Sequence, residues 1–272
     1  MSVKAQRFIN GIIDVLIPLL ATVIALIIGA FMLIAFGKNP PEAYAALING
    51  AFGSSRALIQ TTLKATPLLL VGIGICIAFR GGVTNIGGEG QIIVGALSSA
   101  AVALFIPIPS RWLMIPICMI VAMISGAIWG GIPGILKARL GVNEILTTVM
   151  MNSIAMYLSN YLLRGPMIDP AEIEKGTRAA QTALLPETAF LTRLAPPTQL
   201  NTGSILAVLL AVLVYIMMWK TTIGYRIRAV GLNPDASRYG GIKVPVYQAL
   251  AITLAGALSG LAGAVEVLGV QH

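Results

Sequence analysis

"WLMIPICMIVAMISGAIWGGIPGIL" occupies residues 112–136, and its reading decides the fold. The run contains no Asp, Glu, Lys or Arg. About 20 apolar residues cross the hydrocarbon of a bilayer as a helix, so this stretch reads as a membrane span. Gly126, Gly130 and Gly134 recur at every fourth position and share one helix face. Small residues at that spacing let two helices come close in lipid, where burial of apolar surface no longer drives association. Gly256 and Gly260 repeat the pattern in another long apolar run, 246–270. The glycines of both spans read as packing positions.

Further runs lie at 15–36, 58–79, 91–106, 145–163 and 203–219. Seven helical spans follow, with 91–106 and 203–219 short enough to be tilted or partly re-entrant. Composition agrees: of 272 residues 57% are hydrophobic and only 10% charged, against about 25% charged in soluble domains. A closed β-barrel would need alternating hydrophobicity in each strand, which is absent. The fold class is therefore all-α, a polytopic transmembrane bundle forming one domain over 1–272. Lys4 and Arg7 precede the first run like a signal peptide. That run exceeds a signal's apolar region and lacks a small-residue cleavage site, so it reads as a retained span. Cys76 and Cys118 lie inside apolar runs and read as buried thiols. The chain ends at His272, at the edge of the seventh span, which reads as a truncation with C-terminal spans missing.

Net charge is +8. Without clusters of Arg or Lys with aromatics it does not indicate nucleic acid; it reports topology, because Lys and Arg gather in cytoplasmic loops. Loop 164–200 balances four bases with four acids, whereas 220–245 carries five bases and one acid. This places the N-terminus and 220–245 in the cytoplasm and 164–200 outside.

Polar residues at membrane depth are costly and often functional. Glu144, Thr148, Asn152 and Ser159 fall within an arc of about 80° at 100° per residue. This stripe either lines an aqueous path or bonds to neighbouring helices. In residues 79–96, glycines at 81, 82, 87, 88 and 90 surround Asn85, Glu89 and Gln91. That segment is either a cytoplasmic turn or a broken helix beside a path. Glu266 near the outer end of the last span is a pore residue or reaches the headgroups, and Lys64 can snorkel. His272 is the only histidine, so no metal site and no catalytic residue is assigned. No P-loop, G-x-S-x-G or H-E-x-x-H occurs. ATP-driven work would need a partner subunit, and the chain itself would bind no cofactor.

The most basic stretch, "RIRAVGLNPDASRYGGIKVP" at 226–245, contains "DASRYGG" at 235–241. The acid-small-small-x-x-x-Gly pattern resembles the cytoplasmic loop by which ABC importer permeases dock into their ATPase. "VGLNPDASRYGGIKV" at 230–244 resembles the permeases of the branched-chain amino acid, ribose and nucleoside importer superfamily. "FRGGVTNIGGEGQ" at 79–91, "GVNEILTTVMMN" at 141–152 and "LSGLAGAVEVLG" at 258–269 resemble its nucleoside branch, which is also associated with simple sugars. Gly88 and Ser237 depart from that pattern, where a larger apolar residue and alanine are expected. The resemblance implies about ten helices per permease and a non-enzymatic transport subunit in the cell membrane. It also implies a second permease, an ATP-binding subunit and an extracytoplasmic substrate-binding lipoprotein. It places coupling to the ATPase on Asn233, Pro234, Asp235, Ala236, Arg238, Tyr239 and Gly241.

Local chemistry predicts a short helix there. Asn233 caps it, Pro234 takes the first position, Asp235 faces the positive end of the dipole, and Gly240 and Gly241 stop it. Arg226 and Arg228 face either the ATPase or anionic lipid. Two other readings stand beside the importer. One is an ion-coupled secondary transporter using Glu144, Glu89 or Glu266. The other is a membrane scaffold in which the polar stripe only packs helices. A permease for another solute, such as a simple sugar, fits the same motifs.

Overall fold

The computed structural model describes residues 3–177, 179–196 and 198–271, with side chains from residue 16 onward. Its helices are α1 (Val3–Ala35), α2 (Pro40–Phe52), α3 (Ser55–Arg80), α4 (Gly88–Phe105), α5 (Arg111–Leu140) and α6 (Glu144–Arg164). They continue with α7 (Pro170–Glu174), α8 (Thr202–Lys220), α9 (Thr222–Leu232), α10 (Pro234–Tyr239) and α11 (Val244–Gly269). Two compact units result, Met1–Thr61 and Thr62–His272.

In the first unit the Tyr44 hydroxyl donates to the Leu26 carbonyl at 2.6 Å, joining α2 to α1. The apolar window Leu16–Ala35 buries none of its residues, as suits a surface solvated by lipid.

The second unit is built around α11, whose apolar window is 67% buried. The glycine pattern explains this. A Cβ on Gly260 would lie 2.2 Å from the Ala122 carbonyl oxygen, and one on Gly256 2.3 Å from that of Gly126. Likewise a Cβ on Gly95 of α4 would lie 2.2 Å from the Gly260 oxygen. Helices α4, α5 and α11 thus meet backbone to backbone, which only glycine permits. Levels along the pair show that α5 and α11 run antiparallel, Gly126 meeting Gly256 and Gly134 meeting Ala249.

Six described helices are long and apolar enough to span: Leu16–Ala35 within α1, α3, α4, α5, α8 and α11. The expected span 145–163 does form helix α6, but α6 is not one of those six. Its Thr147, Thr148, Asn152, Ser153, Ser159 and Asn160 dilute the apolar character. Cys118 is buried as expected; Cys76 is exposed, because it sits on the outer face of α3.

Residues 81–87, between α3 and α4, turn back into the bundle. Val83 and Asn85 are buried, and a Cβ on Gly88 would touch the Val71 side chain at 3.1 Å. Val71 lies nine residues before the end of α3, about 13 Å along its axis. Helix α4 therefore starts inside the bundle. The segment thus folds back into the bundle rather than turning at its edge.

Candidate functional site

A helix that starts inside a bundle leaves backbone donors that water cannot reach. Here side-chain amides take that role. Asn85 and Gln91, both buried, bond reciprocally at 3.1 and 3.2 Å. The Asn85 carbonyl oxygen also accepts from Gly87 N–H at 2.9 Å. From α6, Asn152 accepts from Gly90 N–H at 2.9 Å and donates to the Ile86 carbonyl at 3.0 Å. Gly90 is the third residue of α4, the position an N-cap side chain normally serves. Asn152 is thus a cap supplied by another helix. A Cβ on Gly87 would lie 3.2 Å from that of Thr148, whose hydroxyl bonds back to the Glu144 carbonyl at 2.7 Å. Lack of side chains at 87 and 90 is what lets α6 approach.

Four of the sequence-predicted path residues, Asn85, Gln91, Thr148 and Asn152, therefore meet in one polar cluster, and their bonds go to each other and to backbone. Glu89 is exposed beside it. Glu144 stands apart, its carboxylate 2.7 Å from the Lys137 ammonium at the end of α5.

Ser159 and Glu266 lie elsewhere. Ser159 lines a cavity of about 480 Å³ between α4, α6, the end of α11 and the loop after α6. Its floor is apolar, with Ile93 and Leu97, and its rim holds Asp169, Gln181, Thr182 and Gln271. Glu266 accepts from Gln271 at 3.3 Å and so holds one of the rim groups. Sequence reasoning missed Asp169, Gln181, Thr182 and Gln271, because loop composition carries no periodicity to place them. The available signal was apolar: Met167, Leu185, Ala189 and Leu191 in the loop are all buried. Leu191 N–H bonds to the Leu268 carbonyl at 2.9 Å, fastening the loop over the end of α11. In the same loop the Thr177 hydroxyl donates to the Glu172 carboxylate, and Lys175 lies 3.2 Å from it. These two donors hold the Glu172 carboxyl below its ordinary value. Arg178 lies outside the described residues, as does His272.

At the opposite end, α10 has the predicted form. The Asn233 side chain accepts from Ala236 N–H at 3.0 Å, Pro234 is the first residue, and Gly240 terminates the helix. Gly241 follows with φ +79°, a conformation that favours glycine. Tyr239 is 95% exposed. Arg238 pairs with Asp235 at 3.6 Å, both in solvent. Ser237, the predicted departure from alanine, is buried beneath the helix. Arg226 donates to the Tyr247 hydroxyl at 2.7 Å, while Arg228 stacks over the Trp219 ring at 4.2 Å.

Comparison with known proteins agrees with this arrangement. The nucleoside ABC transporter permease protein NupB of Lactococcus lactis subsp. cremoris is 39% identical over 94% of this chain and 71% of its own length. The guanosine ABC transporter permease protein NupP of Bacillus subtilis is 37% identical over 93% of this chain and 72% of its own. The glucose ABC transporter permease protein TsgB13 of Haloferax volcanii is 33% identical over 93% and 68%. No solved structure matches significantly. These relatives are transport subunits, and the model of the branched-chain amino acid transport system / permease component family matches residues 57–272. Polytopic, helical and similar to such permeases along most of its length, the chain belongs to that family.

Proposed function

We propose that this chain is the membrane-spanning permease subunit of an ATP-driven importer for a nucleoside or related small polar solute. The observation that carries the reading is α10. It is a short helix capped at both ends, set between α9 and α11, with Tyr239, Arg238 and Asp235 turned to solvent. Residues 233–241 dock into a separate ATP-binding subunit, which uses the ATP. A second permease and an extracytoplasmic substrate-binding lipoprotein complete the importer. Both compact units serve one permease domain in the cell membrane, with the N-terminus and the α10 end in the cytoplasm.

The cavity beside Ser159 supports a solute of nucleoside size. Its volume of about 480 Å³ falls in the range of small-molecule sites, roughly 300–1,000 Å³. An apolar floor suits a base and the polar rim suits a ribose. The translocation path runs from there past the Asn85, Gln91, Thr148 and Asn152 cluster, with Glu89, Glu144 and Glu266 flanking it. The ion-coupled reading loses support at Glu144, whose carboxylate is paired with Lys137. A simple-sugar substrate is the second reading, favoured by the glucose permease relative.

The test is purification of the permease with its bound subunits, mass spectrometry of those subunits, and guanosine and glucose uptake. Co-purification with an ATPase and uptake of guanosine, unaffected by excess glucose, is the expected result. Gradient-driven uptake without an ATPase would overturn the proposal. Cysteine labels at Lys175 and Arg238 reacting from opposite sides test the orientation.

A further inference from the structure

A second cavity, about 470 Å³, opens on the outer side of the bundle between α3 and α8. Leu68, Gly72 and Cys76 of α3 and Ala211, Val214 and Tyr215 of α8 line it. It is a groove: a Cβ on Gly72 would meet nothing within 4 Å. From Leu68 to Arg80 it follows 12 residues of α3, about 18 Å. Half the hydrocarbon core of a bilayer is about 15 Å, so the groove has the length of one leaflet's acyl chain.

Its end on the α10 side is cationic. The Arg80 guanidinium lies 5.6 Å and that of Arg228 4.2 Å from the centroid of the Trp219 ring. Fold packing fixes this pair. A Cβ on Gly231 of α9 would lie 2.2 Å from the Arg80 carbonyl oxygen, so the ends of α3 and α9 are locked together. Neither arginine belongs to an ion pair among the described residues. Arg228 Nε is buried without a hydrogen-bond partner. The fold thus brings two positive charges and an interfacial Trp to the end of an apolar groove, and no acid among the described residues meets them.

We infer that the groove holds one anionic phospholipid, its phosphate at Arg80 and Arg228 and one acyl chain along α3 and α8. A basic pocket between transmembrane helices at a membrane surface is the arrangement that selects anionic headgroups. This selection is independent of the transported solute.

The native Cys76 supplies the probe, since Cys118 is buried. The permease, purified with its partner subunits, is labelled at Cys76 with bimane and placed in nanodiscs. Phosphatidylglycerol with brominated acyl chains is then compared with brominated phosphatidylcholine as quencher. Two bases at an anionic surface predict half-quenching at a mole fraction about 25-fold lower for phosphatidylglycerol. In Arg80→Ala/Arg228→Ala the preference falls to within about twofold. Arg80→Lys/Arg228→Lys retains most of it, which separates lost charge from lost folding. Gly72→Phe fills the groove and removes quenching by both lipids. Equal quenching by the two lipids in the unmodified protein would mean an ordinary lipid-facing surface and overturn the inference. So would a preference that survives the alanine pair, or absence of quenching by either lipid, which would mean that protein covers the groove.

Discussion

The α4–α5–α11 contact and the turn that follows α10 both depend on glycine, for opposite reasons. At Gly256 and Gly260 the backbone is ordinary helix and space is missing, with neighbouring carbonyl oxygens 2.3 and 2.2 Å from a hypothetical Cβ. At Gly241 space is plentiful, with nothing within 4 Å, and the backbone is the constraint, at φ +79°. One region is defined by what must not be there. The other is defined by how the chain must turn. Damage to the first acts on the whole bundle, whereas damage to the second stays local to α10. Packing of the bundle and the form of α10 are therefore separable in this molecule.

The largest expected effect is Gly260→Leu. No rotamer clears the Ala122 oxygen, so α11 and α5 must part, at a cost of about 3 kcal/mol or more. Membrane-inserted, thermally stable protein should be nearly absent in a detergent melting assay; wild-type melting would show that the helices do not touch there. Next comes Asn152→Leu, which leaves the buried Gly90 N–H unpaired, whereas the exposed bond to the Ile86 carbonyl can be replaced by water. An unsatisfied buried group costs about 1–3 kcal/mol. Melting temperature and uptake should fall together, and loss of uptake at unchanged stability would mean that Asn152 acts on the solute instead. Gly241→Val sharpens the contrast: it should strain its own turn by about 1–2 kcal/mol. Insertion and melting should stay near wild type, while the amount of ATPase retained after detergent extraction drops. If ATPase retention holds while melting collapses, the separation of the two regions fails.

The smallest effect concerns pH in the loop after α6. The folded Glu172 carboxyl sits below its ordinary value of 4.5, held first by Thr177 and then by Lys175. The stability it contributes is therefore complete above about pH 4.5 and lost as pH falls through the lower folded value. Hydrogen exchange at α7 amides should accelerate below that point after correction for intrinsic rates. Glu172→Gln should abolish this acceleration, leaving α11 protection unchanged.

Sequence made the spans legible because bilayer thickness writes itself as run length, and it made α10 legible because Asn233, Pro234 and Gly241 act on their own neighbours. The glycine contacts were readable for the same reason, since a period of four names one face. Depth was not readable. A glycine-rich turn at a membrane surface and one folded back to Val71 have the same composition. What distinguishes them is Asn152, 62 residues beyond the Gly90 it caps. A polar stripe on α6 does not say whether its amides face water or another helix's backbone. Cys76 was misplaced because an apolar position on a lipid-facing helix need not be an interior one.

The glycine contact between α4, α5 and α11 also has a mechanical consequence. Side-chain interfaces slide by exchanging rotamers, and at its glycine levels this one has none to exchange. Backbone against backbone, it behaves there as a weld. During a transport cycle those three helices would travel as one body together with α6, whose Asn152 caps α4, and the relative motion would fall to α8. Spin labels on α4 and α11 would keep a constant separation through ATP turnover, while a label on α8 would swing against both.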